Sequence, residues 1–192
     1  MPKRRSDRYA AFFVDPAGNR DLEERGIGED LAASLRFVAG MTPYAGLRSR
    51  GLGEDPPDCE AMDDNGKRIA IEVTELVDQQ AVETNEQMLK ATLQDTRPRL
   101  WAPWNLTKFE TILSERLQAK DDKFLKLKGS PYPGGYIVII HTDEADLSKE
   151  IVEAYLREVK LPACTFISRV FLLISYSPDI GRCPVFELDL SR

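Results

Sequence analysis

The chain lacks any long apolar segment. Its longest apolar runs, at 9–14, 136–140 and 170–174, reach only five or six residues, whereas a membrane-spanning helix needs about 20. The run near the N-terminus is also shorter than the roughly 7–15 residues of an export signal's apolar region. We therefore expect neither a membrane span nor an exported protein.

Cysteine and histidine are scarce as well. The chain has three cysteines, Cys59, Cys164 and Cys183, and one histidine, His141. This odd, widely spaced set argues against both a disulfide framework and a structural zinc site. Reduced thiols are typical of cytosolic proteins, so we expect a cytoplasmic location.

An excess of positive charge is also missing. Lysine and arginine number 26 against 32 aspartates and glutamates, which gives a net charge of -6. This excludes a protein that coats nucleic acid through its net field, so any such binding depends on local basic patches. The basic clusters are Lys3, Arg4, Arg5 and Arg8, then Arg97 and Arg99 beside Trp101 and Trp104, and finally Lys123, Lys126 and Lys128. Aromatic and basic neighbours suit base stacking, although tryptophans are more often core anchors.

Length and pattern together predict one domain. The 192 residues fit a basic N-terminal arm over 1–20 and a single domain over 21–192. The apolar periodicities predict helices over about 28–38, 81–93, 106–127 and 148–159, and strands over about 58–62, 67–75, 136–141, 168–175 and 185–190. A hairpin followed by helices alternating with strands predicts a single-domain α/β fold, with a mixed sheet flanked by helices.

The first hairpin carries the most informative acids. Asn65-Gly66 is a strong turn signal, and aliphatic residues alternate with polar ones over 69–74, so Glu72 and Thr74 share one face of the second strand. Asp58 begins the partner strand. The two carboxylates and the carbonyl of Val73 are ligands suited to Mg²⁺, or to Mn²⁺. Such an ion lowers the pKa of a bound water and neutralises charge on a phosphate.

The chain resembles the PD-(D/E)XK nuclease superfamily at Pro57-Asp58 and, after a spacer, at Glu72-Val73. The signature of that superfamily ends in a lysine. The resemblance implies a restriction-endonuclease-like fold and metal-dependent hydrolysis of phosphodiester bonds in nucleic acid, with Asp58 and Glu72 holding the metal. Thr74 stands where the signature has its lysine. At most, it hydrogen-bonds a water molecule.

Members of this superfamily relocate the lysine to a neighbouring element, and Lys120 is the candidate here. It lies in the middle of the apolar stripe of the predicted helix 106–127, where an ammonium needs an acidic partner or a route to solvent. Lys123 is a second candidate, although it lies nearer the edge of the stripe and is predicted to be solvated. The resemblance also implies an acid on the first helix, for which Glu29 is the closest match and Glu24 the next. Glu60 shares a strand face with Asp58 and is either an additional ligand or a solvated neighbour, of which the second is predicted.

Three functions follow from these patterns. The first is a magnesium-dependent nuclease, with DNA as the expected substrate. The second is a catalytically inactive restriction-endonuclease-like module that binds nucleic acid or protein, with Thr74 marking decay of the site. The third is a protein-interaction module on an unrelated α/β sheet. The oligomeric state stays open, with a symmetric homodimer as one option.

Overall fold

A single mixed sheet organises the chain. In a computed structural model, which describes residues 20–40, 42–50, 54–91 and 103–190, the described part contains six strands and four α-helices. The strands are β1 (Ala45–Ser49), β2 (Cys59–Met62), β3 (Arg68–Glu75), β4 (Gly135–Thr142), β5 (Arg169–Ile174) and β6 (Val185–Leu188). The helices are α1 (Arg20–Ala39), α2 (Gln79–Ala91), α3 (Leu106–Lys123) and α4 (Lys149–Leu156), and a short 3-10 helix (Phe124–Lys126) follows α3.

The strands lie in the sheet in the order of the sequence. β1, β2 and β3 are antiparallel to one another, β3, β4 and β5 are parallel, and β6 runs antiparallel to β5. The parallel pairs require crossovers, which contain α2 and α3 in the first case and α4 in the second. This confirms the predicted α/β domain with a mixed sheet.

Apolar residues cover both faces of the sheet. Ile69, Ile71 and Val73 of β3 join a core with Ile27 and Leu31 of α1. The alternate face of the same strands packs against α3 and α4 in a second core. Because side chains alternate along a strand, Glu72 lies on the α3 side of the sheet.

Helix α3 begins where the sequence predicts. The Asn105 side chain accepts a hydrogen bond from the backbone N–H of Lys108 at 2.9 Å, an N-cap that satisfies one of the unpaired donors of the first turn. Phe109, Leu113 and Leu117 are fully buried along one stripe. The predicted end near residue 127 is wrong, because the α-helix ends at Lys123 and tightens into the 3-10 helix.

Several sequence predictions fall elsewhere. Residues 1–19 of the predicted basic arm, together with Arg97, Arg99 and Trp101, lie outside the described residues. Trp104 is buried in the core beside α3. None of the described helices is long and apolar enough to cross a membrane.

Candidate functional site

The β2–β3 hairpin brings Asp58 and Glu72 together. Its turn is closed by Asp63, whose side chain accepts hydrogen bonds from the backbone N–H groups of Asn65 and Lys67 at 2.9 and 2.7 Å. Gly66 supplies the positive φ, 73°, that the turn requires. Cys59 faces Ile71 in the resulting register, so the position before Cys59 lies opposite Glu72.

Asp58 is buried and oriented by the backbone of β3. Its Oδ2 accepts a hydrogen bond from the backbone N–H of Val73 at 2.7 Å. The carbonyl of Val73 accepts a hydrogen bond from the Lys120 ammonium at 3.1 Å. Val73 therefore offers its carbonyl to the same site as the carboxylates.

Glu72 is fully buried and its two oxygens differ. Oε2 accepts hydrogen bonds from Lys120 at 2.5 Å and from Lys123 at 2.8 Å. Oε1 is buried and has no hydrogen-bond partner among the described residues. Since buried polar atoms are almost always satisfied, this oxygen is available to a water molecule or a ligand.

Asp55 is a third acid that the sequence patterns did not reveal. One oxygen each from Asp55, Asp58 and Glu72 lies within 4.8 Å of the other two. Asp55 is 52% exposed and precedes Pro56-Pro57, whose fixed φ angles restrict the chain between the two aspartates. The sequence signal for Asp55 is thus its closeness to Pro57-Asp58, since no periodic pattern marks it.

Lys120 and Lys123 reach the acids from α3. The Lys120 side chain is 14% exposed, and its ammonium lies 3.9 Å from Asp58 Oδ2 and 2.5 Å from Glu72 Oε2. Lys123 is not solvated as predicted, because α3 ends at this residue and its side chain turns toward Glu72 and Asp55. Burial opposes protonation of Lys123, but the hydrogen bond to Glu72 and the nearby carboxylate charges outweigh it and raise its pKa.

Four hydrogen bonds to backbone groups hold this end of α3 in place. The Tyr136 hydroxyl donates to the carbonyl of Lys120 at 3.0 Å. Burial, followed by the charges of Glu72 and Asp58, raises the pKa of Tyr136, so the hydroxyl stays a donor. The buried carboxylate of Asp121 accepts backbone N–H groups from Thr165, Phe166 and Ile167 at 2.8 to 3.0 Å.

The remaining predicted site residues lie as follows. Thr74 is half-buried, two residues beyond Glu72 on β3. Glu29 is exposed on α1, where it pairs with Arg25 at 2.9 Å, and it is not part of the three-carboxylate group. Asp55 supplies the third carboxylate in the described structure.

Glu60 is not solvated as predicted, because three arginines and a tyrosine surround it. Arg48 donates to Oε2 at 2.6 Å, while Arg50 and, at 2.6 Å, Arg68 donate to Oε1. The Tyr132 hydroxyl lies 2.9 Å from the same Oε1. Burial opposes ionisation of Glu60 most strongly, but hydrogen bonds from Arg48, Tyr132 and Arg68 and the charge of Arg50 lower its pKa to about 2.

Comparisons with known proteins found no match for this chain. None of the family models, curated proteins or solved structures compared with the chain matches it. The resemblance to the PD-(D/E)XK superfamily therefore stays a prediction that depends on the residues themselves.

The donor set of the site fits a hard divalent cation. It consists of carboxylate oxygens and one backbone carbonyl, the ligands that Mg²⁺ and Mn²⁺ take. Glu72 Oε1, which lacks a partner among the described residues, adds an oxygen able to bind an ion without breaking a hydrogen bond. We name Asp55, Asp58 and Glu72 the carboxylate site.

Proposed function

We propose that the chain is a metal-dependent phosphodiesterase of the restriction-endonuclease-like type that hydrolyses nucleic acid, with DNA as the expected substrate. The observation that supports this most is the combination of three carboxylate oxygens within 4.8 Å and a lysine ammonium 2.5 Å from one of those carboxylates. A metal ion held by the carboxylates and the lysine ammonium would both stabilise the negative charge that builds on a phosphate during hydrolysis.

In this proposal the carboxylate site holds Mg²⁺ or Mn²⁺. The ion supplies Lewis acidity and a water of lowered pKa. The carbonyl of Val73, which accepts a hydrogen bond from Lys120 at 3.1 Å, is the further oxygen ligand of this proposal.

Lys120 takes the place of the lysine that the signature has at Thr74. Its ammonium lies 2.5 Å from Glu72 and 3.9 Å from Asp58, so it carries a positive charge at the edge of the carboxylate site. From there it stabilises a negatively charged phosphate oxygen or orients the attacking water. Lys123, which raises the local positive charge from the solvent side, acts in the same sense.

A cytoplasmic location is part of the proposal. The chain has three widely spaced cysteines, Cys59, Cys164 and Cys183, and this odd set supports a reducing compartment.

A second candidate function, an inactive binding module of the same fold, is favoured by the charge balance of the site. Two ammonium groups share Glu72 Oε2 and leave one formal negative charge among the three carboxylates. A site with lysines so placed is nearly neutral without a metal ion. In this alternative Lys120 and Lys123 hold Glu72 as a structural ion pair.

The test compares cation binding with cleavage. We expect calorimetry to show Mn²⁺ and Mg²⁺ binding to wild type, and loss of that binding in an Asp58→Asn/Glu72→Gln variant. Plasmid and single-stranded DNA should be cleaved by wild type and at least about 100-fold more slowly by the variant, since the metal and its water contribute several kcal/mol. Asp55→Asn, an exposed change, repeats the test without threatening the core.

Asp78→Asn is the matched control. Asp78 pairs with Lys108 at 2.6 Å, so it is also a lysine-bound carboxylate, but it is outside the carboxylate site. We expect this variant to bind the ions as wild type does. Ion binding without cleavage of DNA or RNA would favour the inactive module, and the absence of ion binding in folded wild type would overturn the metal site.

A further inference from the structure

A second charged cluster lies beside the carboxylate site. The three guanidinium groups of Arg48, Arg50 and Arg68 meet the single buried carboxylate of Glu60. Glu54 adds one more carboxylate, 3.8 Å from Arg50 Nε. Three guanidinium groups and two carboxylates leave one net positive charge. We call Arg48, Arg50, Arg68, Glu54 and Glu60 the arginine cluster.

The three arginines differ in exposure. The Arg50 side chain is only 9% exposed, and it also donates to the Glu54 carbonyl at 3.1 Å. Arg48 is 66% exposed and Arg68 is 34% exposed. The cluster therefore has a buried part that holds it together and two guanidinium groups that meet solvent.

The exposed guanidinium groups are held in position. Arg68 donates to the carbonyl of Gly129 at 2.8 Å and lies over the Tyr132 ring, 4.8 Å from its centroid. The bond from Arg48 to Glu60 uses one of the five N–H donors of a guanidinium. Planar, positioned guanidinium groups are the side chains best suited to bind phosphate oxygens.

The cluster lies at a useful distance from the carboxylate site. Glu60 follows Asp58 by two residues on the same face of the hairpin, and the Glu60 position faces Ala70 while Glu72 lies two residues further on. Two residues along a strand span about 7 Å. Phosphates of one nucleic-acid strand follow every 3.4 Å or so of helical rise, and they lie farther apart in space because the backbone winds around the axis. Glu60 and Glu72 are therefore within about one to two nucleotides of each other along such a strand.

We propose that Arg48 and Arg68 bind the backbone phosphates of the nucleic-acid strand next to the one at the carboxylate site, while Glu60 and Arg50 hold them in place. This rests on the proposed function and deepens it, since it makes the substrate a polynucleotide rather than a mononucleotide or a small phosphodiester. A buried ion pair for stability alone needs one arginine. Two further guanidinium groups that meet solvent provide an anion-binding surface.

The test measures binding of fluorescein-labelled single-stranded DNA and its duplex by anisotropy, with Ca²⁺ as the divalent ion, over a range of NaCl concentrations. We expect Arg48→Gln and Arg68→Gln each to weaken binding by about three- to tenfold. Each should also lower the slope of log affinity against log salt by about 0.7 on single strands and about 0.9 on duplex, the value of one phosphate contact. Arg68→Lys, which keeps the charge, should retain most of the slope.

Arg169→Gln is the matched control. Arg169 is also 34% exposed and paired with a glutamate, Glu187, at 2.7 Å, but it lies on β5. We expect its affinity and salt slope to equal those of wild type. Melting temperatures establish that each variant is folded, and Arg48 lies on an edge strand where its loss leaves the core intact.

The outcomes separate this inference from the proposed function. Arg48→Gln and Arg68→Gln variants that bind DNA with wild-type affinity and salt slope would overturn the inference alone, provided that Mn²⁺ still binds the carboxylate site. Arginine-dependent DNA binding without metal binding would support the inference and overturn the hydrolase. If the wild-type protein binds neither single-stranded DNA nor the duplex, the inference is overturned, with or without Mn²⁺ binding at the carboxylate site.

Discussion

The carboxylate site and the arginine cluster are each centred on a glutamate of the β2–β3 hairpin, yet their charge balance is opposite. Each contains a buried glutamate, Glu72 or Glu60, surrounded by cations. Glu72 meets two lysines and keeps one oxygen without a partner among the described residues, whereas both oxygens of Glu60 accept hydrogen bonds from arginine. Buried Glu72 therefore keeps an oxygen for a cation. Around buried Glu60, in contrast, the arginines present N–H donors that Glu60 does not use.

The difference follows from the cations that surround each acid. An ammonium is a compact point charge, and both lysines donate to the same oxygen of Glu72, which leaves Oε1 without a partner among the described residues. Guanidinium groups bind through a fixed planar fork, and three of them saturate Glu60 while leaving donors that face outward. Lysine neighbours thus suit an exchangeable metal ligand, and arginine neighbours suit a permanent anchor.

The largest expected effect comes from removing the anchor of the arginine cluster. Glu60→Ala removes the main anion of Arg50 and leaves only Glu54, at 3.8 Å, and breaking a buried ion pair costs about 3–5 kcal/mol. Urea denaturation should show this loss in the free energy of unfolding. The control is Glu187→Ala, which removes the partner of the partly exposed Arg169 and should cost at most about 1 kcal/mol. Equal losses in the two variants would contradict the role of Glu60 as an anchor.

A second expected effect is the pH dependence of that stability. Because the pKa of Glu60 is lowered from 4.5 to about 2 in the folded protein, ionised Glu60 stabilises the fold above its unfolded pKa. This contribution, about 3 kcal/mol, is lost as the pH falls from about 4.5 through about 2. Unfolding free energies of wild type and Glu60→Gln should converge over this window, and a difference that stays constant with pH would contradict the assignment.

The smallest expected effect concerns the lysines of the carboxylate site. Lys123→Gln removes a positive charge that competes with a cation for Glu72 Oε2, so Mn²⁺ should bind about three- to tenfold more tightly, or by about 1 kcal/mol. Isothermal titration calorimetry measures the change. Lys126→Gln, an exposed lysine on the 3-10 helix, is the control. Unchanged or weaker Mn²⁺ binding in Lys123→Gln would count against a cation site at Glu72.

Sequence patterns predicted most of the fold because its signals are local. The alternation in β3, the Asn65-Gly66 turn and the Asn105 cap each act within a few residues, and the apolar stripe of α3 made Lys120 conspicuous. An ammonium in such a stripe has few alternatives to an acidic partner.

The surroundings of Glu60 and Asp55 could not be predicted in the same way. The partners of Glu60 come from β1, β3 and the segment after α3, and no periodicity within one element connects them. An acid on a strand face is usually solvated, so the local expectation for Glu60 was reasonable and wrong. Lys123 was misjudged because the periodic pattern did not show where α3 ends.

The contacts of Asp121 and Tyr136 have a consequence for the entropy of binding. They fix the backbone of α3 next to Lys120 through four hydrogen bonds to or from other elements. The conformational freedom of this helix end is therefore lost when the protein folds, before any ligand arrives. A ligand at the carboxylate site therefore meets lysines carried by a helix end that is already ordered, and its binding free energy is not reduced by the cost of ordering that backbone.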